Sequence, residues 1–111
     1  MDAFSQNRRL GRGVNMIGYD DALWQGSDQA RLQEKHFRLI AGAGFDHVRI
    51  NLHPFKHMGG APDYAIRPTW LKTLDWAVAQ ALEVGLLAIL DMHEFVALGR
   101  DFEGLKAHYL A

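Results

Sequence analysis

Five polar residues stand where their side chains could do chemistry together: Asn15, Arg49, Asn51, Asp91 and His93. From His47 to Leu52 the chain alternates strictly, Val48, Ile50 and Leu52 facing one way and His47, Arg49 and Asn51 the other. A charged arginine in mid-strand needs a polar destination. Because a guanidinium never loses its charge, it is expected beside carboxylates, and a carboxylate held there stays ionised and nucleophilic. Asp91 and His93 close an apolar run and share its inward parity with Leu87 and Ile89. The competing explanation is a polar network that only fixes strand register. Arg49 favours chemistry.

Two further ligand types deserve weighing. The sequence holds six histidines, and His53, His57, Asp91, His93 and Glu94 are the possible metal ligands. His53 and His57 are four apart but lie in a Gly-Pro loop, with neither HExxH nor a paired strand motif, so no metal site is expected. Tyr19, Trp24, Phe55 and Tyr64 fall in the same loop-rich stretches, where a rigid ring can stack on a sugar face. Trp70 and Trp76 lie in a helical pattern and read as core. The absence of GxGxxG, P-loop and GxSxG patterns argues against nucleotide binding and serine hydrolysis.

The elements that must position these residues alternate in period between two and 3.6. Gly13 to Met16 reads as a first strand, followed by a loop from Ile17 to Gly26. Ser27 is expected to cap a helix running to about Ala43, with Leu32, His36, Leu39 and Ala43 on one stripe and Phe37 and Ile40 beside it. Gly44 suits its C′ position. A second strand spans His47 to Leu52, and the residues from His53 to Pro68 form a long connection without a period. Thr69 precedes a second amphipathic helix carrying Trp70, Leu74, Ala77, Val78 and Ala81 and ending at Gly85. Leu86 to Met92 is apolar on both parities, as in a parallel strand covered on both faces. A third helix is expected after Asp101, with Phe102, Leu105 and Tyr109 on one face. Three strand-helix repeats with right-handed crossovers make an α/β fold with a three-stranded parallel sheet whose outer strands are both open edges.

Composition narrows the function classes. The 111 residues, 49% apolar and 23% charged, suit one globular domain, here residues 1–111. Twelve Lys and Arg against 13 Asp and Glu leave a net charge of −1, which does not favour nucleic acid as a partner. With no cysteine, disulfides and thiol chemistry are excluded while the compartment stays open. The longest apolar stretch, Val84 to Leu90, is far short of the roughly 18 residues a membrane span needs, and the first ten residues have no apolar signal core.

Three segments together resemble glycoside hydrolase family 5, the cellulase-type clan A enzymes: GRGVNM at Gly11 to Met16, HFRLIAGAGFDHVRINLHPF at His36 to Phe55 and GLLAILDMHEF at Gly85 to Phe95. The second is similar to the family's "aGFntvRip" and the third to its "vilDlHh". The resemblance implies three βα units of a TIM (β/α)8 barrel, incomplete in this chain, since such a barrel takes about 250 residues. It implies that Arg49 would bond the nucleophilic carboxylate and His93 the sugar hydroxyls, with Asn15 supporting the site; Trp24 and Tyr19 are expected as further substrate contacts. The family's retaining mechanism uses two glutamates about 5–5.5 Å apart. One belongs to an Asn-Glu-Pro motif after strand four and the other ends strand seven, so the 111-residue chain is expected to be inactive alone. Glu94 replaces a second His of the family and should point to the opposite side of the strand. The expected function is the amino-terminal part of a retaining endo-β-1,4-glucanase acting on β-glucan, without cofactor or metal. Its partner would be the remainder of the barrel, or a complementary or identical chain, on the open edges. The alternatives are a non-catalytic half-barrel association module and a metal-dependent barrel hydrolase. The resemblance further implies a secreted or periplasmic enzyme.

Overall fold

A computed structural model describes residues 1–16, 18 and 20–111. Three strands, β1 (Gly13–Met16), β2 (His47–Leu52) and β3 (Leu87–Met92), form one parallel sheet in the order β1-β2-β3. Asn15 pairs with Arg49 and Arg49 with Ile89, while Asn51 pairs with Asp91, so the strand ends lie in one register. Parallel neighbours need crossovers. Helices α3 (Glu34–Gly42) and α4 (Pro68–Glu83) provide them.

The apolar parity of β2 builds the core. Val48 and Ile50 are buried with Phe37 of α3 and Trp70, Ala77 and Ala81 of α4. The alanines let α4 lie close to the sheet, and Phe37 meets Trp76 edge-on at 5.8 Å. Helix α3 is followed by Gly44 at φ +86°, a left-handed conformation that a side chain disfavours. Gly18 is fixed by space: a Cβ there would lie 1.6 Å from the Asn51 carbonyl oxygen. The segment after β1 therefore runs directly over the end of β2.

Several expectations are corrected. Helix α3 begins at Glu34, not after Ser27. The Ser27 hydroxyl accepts from the Gln29 N–H at 3.1 Å, and the Asp20 carboxylate accepts from the Arg31 and Leu32 N–H groups at 2.7 and 3.1 Å. These local bonds satisfy the backbone without a helix. The helix then starts where the Gln33 N–H donates to His36 Nδ1. Its buried face centres on Phe37, leaving Leu39 65% exposed. Pro68 opens α4 one residue before Thr69, a position that needs no N–H donor.

Strand β3 is not covered on both faces: Leu90 and Met92 are 50% and 44% exposed. A helix α1 (Ala3–Leu10), capped by Asp2, precedes β1, a short helix α2 (Asp21–Trp24) lies in the region expected as a loop, and a further short helix α5 (Phe95–Arg100) follows β3. Helix α6 (Phe102–Leu110) follows Asp101 as expected, its Gly104 N–H bonded to the Asp101 carboxylate, but Phe102 and Tyr109 on its apolar face are exposed. The connection from His53 to Pro68 is folded, not periodless. It contains a 3-10 turn at Phe55–His57 and an antiparallel bridge between Met58 and Ile66.

Candidate active site

The inner parity of the sheet collects the polar residues. At the carboxyl ends of the strands, the Arg49 fork is divided: Nη1 donates to the Asn15 side-chain oxygen at 3.2 Å and Nη2 to Asp91 Oδ2 at 2.8 Å. The same Asp91 oxygen accepts from Asn51 Nδ2 at 3.3 Å and pairs with His93 Nδ1 at 2.7 Å. A single row thus crosses all three strands. It is partly open to solvent, the Arg49, Asp91 and His93 side chains being 38%, 20% and 21% exposed. A network made only to fix register gains by being sealed from water. This one instead presents a guanidinium and an imidazole.

Two hollows flank the row. One, of about 380 Å³, is lined by His93, His53, Phe55, Glu94 and Arg100. The other, of about 870 Å³, is lined by Asn15, Asp20, Arg31, Leu32 and His36 among others. Across the first, Lys56 pairs with Asp21 at 2.6 Å, joining the segments that follow β1 and β2. This lysine, by hydrogen bond and by charge, holds the Asp21 carboxyl below its usual range.

Glu94 has left the strand. Its buried carboxylate accepts from the Phe55 N–H at 2.7 Å and lies 3.8 Å from His53 Nδ1, so it fastens the connection after β2 to the end of β3. A side chain engaged in this way is a tether. His57 is buried against Trp70, ring centroids 5.9 Å apart. Burial foremost, then the charges of Arg67 and Lys56, push its pKa below the ordinary histidine value. Among the described residues no three His, Asp or Glu side chains converge to hold a metal ion.

The match to known proteins falls on these strands. The model of the Cellulase family (glycosyl hydrolase family 5) covers residues 8–107. The chain belongs to glycosyl hydrolase family 5. It is 27% identical over 93 residues to Endoglucanase B of Paenibacillus lautus, covering 84% of this chain and 16% of that protein. It also superposes on Cel5A of Thermotoga maritima in complex with cellobiose, with a TM-score of 0.84 and 32% identity, over 98% of this chain and 35% of that one. The Cel5A structure in complex with mannotriose gives the same TM-score and coverage. The chain therefore spans about a third of these two solved structures and less than a fifth of the Paenibacillus relative. Its open sheet is a partial (β/α)8 barrel of this family.

Of the expected site residues, the structure brings Asn15, Arg49 and His93 into one network through Asp91. It does not bring Trp24 there. That indole is 4% exposed, stacks on Trp70 at 5.0 Å and donates to the Gly18 carbonyl, so it is a core residue with no face open to a sugar. Tyr19 lies outside the described residues. Phe55 and Tyr64 pack on His108, at 6.0 and 4.9 Å between ring centroids. Sequence reasoning missed the tethers made by Asp20 and Glu94, whose partners are backbone N–H groups that no side-chain pattern displays.

Proposed function

We propose that this chain supplies the Asn15, Arg49 and His93 portion of the sugar site of a retaining endo-β-1,4-glucanase, working within an eight-stranded barrel whose other strands bring the two catalytic glutamates. The observation that carries this reading is the partly exposed polar row at the carboxyl ends of three parallel strands, where barrel enzymes keep their chemistry, in a chain of the cellulase family. Binding of cellobiose and mannotriose by Cel5A supports a β-linked oligosaccharide as substrate.

In that barrel the Arg49 guanidinium, already anchored by Asn15 and Asp91, keeps the nucleophilic carboxylate ionised. His93 bonds a hydroxyl of the sugar at the cleavage point. Glu94 takes no part in proton transfer, because its carboxylate is buried and bonded to the Phe55 N–H. The retaining reaction runs between two carboxylates and needs neither metal nor cofactor. The remaining strands cover the unpaired outer edges of β1 and β3.

The test is turnover of a soluble cellulose derivative. The 111-residue chain alone should show none, since it lacks both proton donor and nucleophile. Joined to the remaining strands of a family 5 barrel it should be active. Clear turnover by the chain alone, with host enzymes excluded, would overturn the reading. Chelator should leave the assembled enzyme active, whereas zinc-restorable loss would favour a metal hydrolase.

A further inference from the structure

We propose that Asp91 is a positioning residue that fixes His93 in the tautomer carrying its proton on Nδ1, leaving Nε2 as a hydrogen-bond acceptor for the substrate. Three groups converge on one carboxylate oxygen. Asp91 Oδ2 meets Arg49 Nη2 at 2.8 Å, Asn51 Nδ2 at 3.3 Å and His93 Nδ1 at 2.7 Å. A carboxylate offers lone pairs and no proton, so each of the three must be the donor. For Arg49 and Asn51 that is automatic. For the neutral imidazole it decides between two forms, because only one ring nitrogen bears hydrogen.

Two rings flank the imidazole: Phe95 meets it edge-on at 4.9 Å and His53 at 5.6 Å, both nearly perpendicular, so turning Nε2 toward Asp91 would require one or both to move. Asp91 is held in turn by β2, through Arg49 and through Asn51, which is 7% exposed. The strand pairing of Asn51 with Asp91 therefore sets the direction of the imidazole two residues further on. His93 lines the hollow of about 380 Å³, where an acceptor nitrogen selects a hydroxyl donor and disfavours a group that can only accept.

The functional consequence rests on the proposed sugar contact of His93, but the tautomer does not, and the experiment separates them. The imidazole nitrogens of His93 in the 15N-labelled 111-residue chain are observed by NMR about two pH units above the ordinary histidine value of about 6.5. Nδ1 should give the protonated, pyrrole-type shift and Nε2 the pyridine-type shift. In Asp91→Ala both should move toward the averaged values of a free imidazole, and in Asp91→Asn, whose amide oxygen can still accept, the wild-type pattern should persist. A wild-type His93 that is averaged or protonated on Nε2 would overturn the proposal, as would an Asp91→Ala signal identical to wild type. In the assembled glucanase Asp91→Ala should lower kcat at least tenfold with KM little changed. If the tautomer is as proposed but kcat does not fall, the sugar contact fails and the positioning stands.

Discussion

Strands β2 and β3 are paired residue for residue, yet the same alternation has opposite outcomes on their outer faces. Ile50 is 2% exposed while its neighbour Leu90 is 50% exposed, and Leu52 and Met92 differ likewise at 8% and 44%. On the inner face the two strands behave alike, Arg49 and Asn51 both reaching Asp91. Burial of an apolar residue is thus decided by the layer laid over it, whereas the polar row depends only on strand pairing. β2 lies between two strands with α3 and α4 over its outer face. β3 has a strand on one side only.

The sharpest way to break this contrast is to empty the same row on each strand. Ile50→Ala should destabilise the chain by about 2–5 kcal/mol in urea unfolding, and Leu90→Ala by less than about 1 kcal/mol, because only the first leaves a cavity. Equal losses would mean that β3 is covered. On the inner face, Arg49→Ala in the assembled enzyme should cost about 10²–10³-fold in turnover, by analogy with removal of one preorganised donor, while Arg38→Ala on α3 should cost nothing measurable. Arg49→Lys should recover little, since a point ammonium cannot serve Asn15 and Asp91 together.

Smaller effects test the loops that join the two strands. Glu94→Gln weakens the bond to the Phe55 N–H and should cost about 1–2 kcal/mol of stability without abolishing turnover in the assembled enzyme. Abolished turnover would make Glu94 a participant in the chemistry. The smallest effect concerns His57, whose folded-state pKa is lowered. Below the ordinary histidine value of about 6.5 the unfolded chain binds a proton that the fold resists, so stability should fall as pH drops from about 7.5 to 5.5. His57→Phe keeps the ring on Trp70 and should flatten part of that slope in thermal unfolding. An unchanged slope would show that His57 is protonated equally in both states.

Legibility in the sequence followed the same division. The strict alternation of His47 to Leu52 and the parity of Asp91 and His93 were enough to place the inner row, because period two leaves a side chain only two directions. The apolar face of α4 was equally plain. What sequence did not show was how far the covering layer reaches: the open edge of β3 was expected, but its apolar run suggested cover on both faces, whereas Leu90 and Met92 are exposed. The start of α3 was missed because Ser27 is a good cap in isolation, and nothing near it indicated that Asp20 would take the N–H groups of Arg31 and Leu32. Trp24 was misassigned for a related reason, since a loop aromatic is as able to close a core as to face a sugar.

The stacked pair of Trp24 and Trp70 makes that core visible to light. Their ring centroids are 5.0 Å apart with planes inclined by 26°, and they belong to different units, one following β1 and the other opening α4. Indoles held so closely in a fixed chiral arrangement couple their electronic transitions, giving an aromatic circular-dichroism band that vanishes when fixed packing is lost even if the helices persist. The chain therefore carries its own optical gauge of whether the segment between β1 and α3 is seated on α4, readable without any label and in the presence of a non-absorbing oligosaccharide.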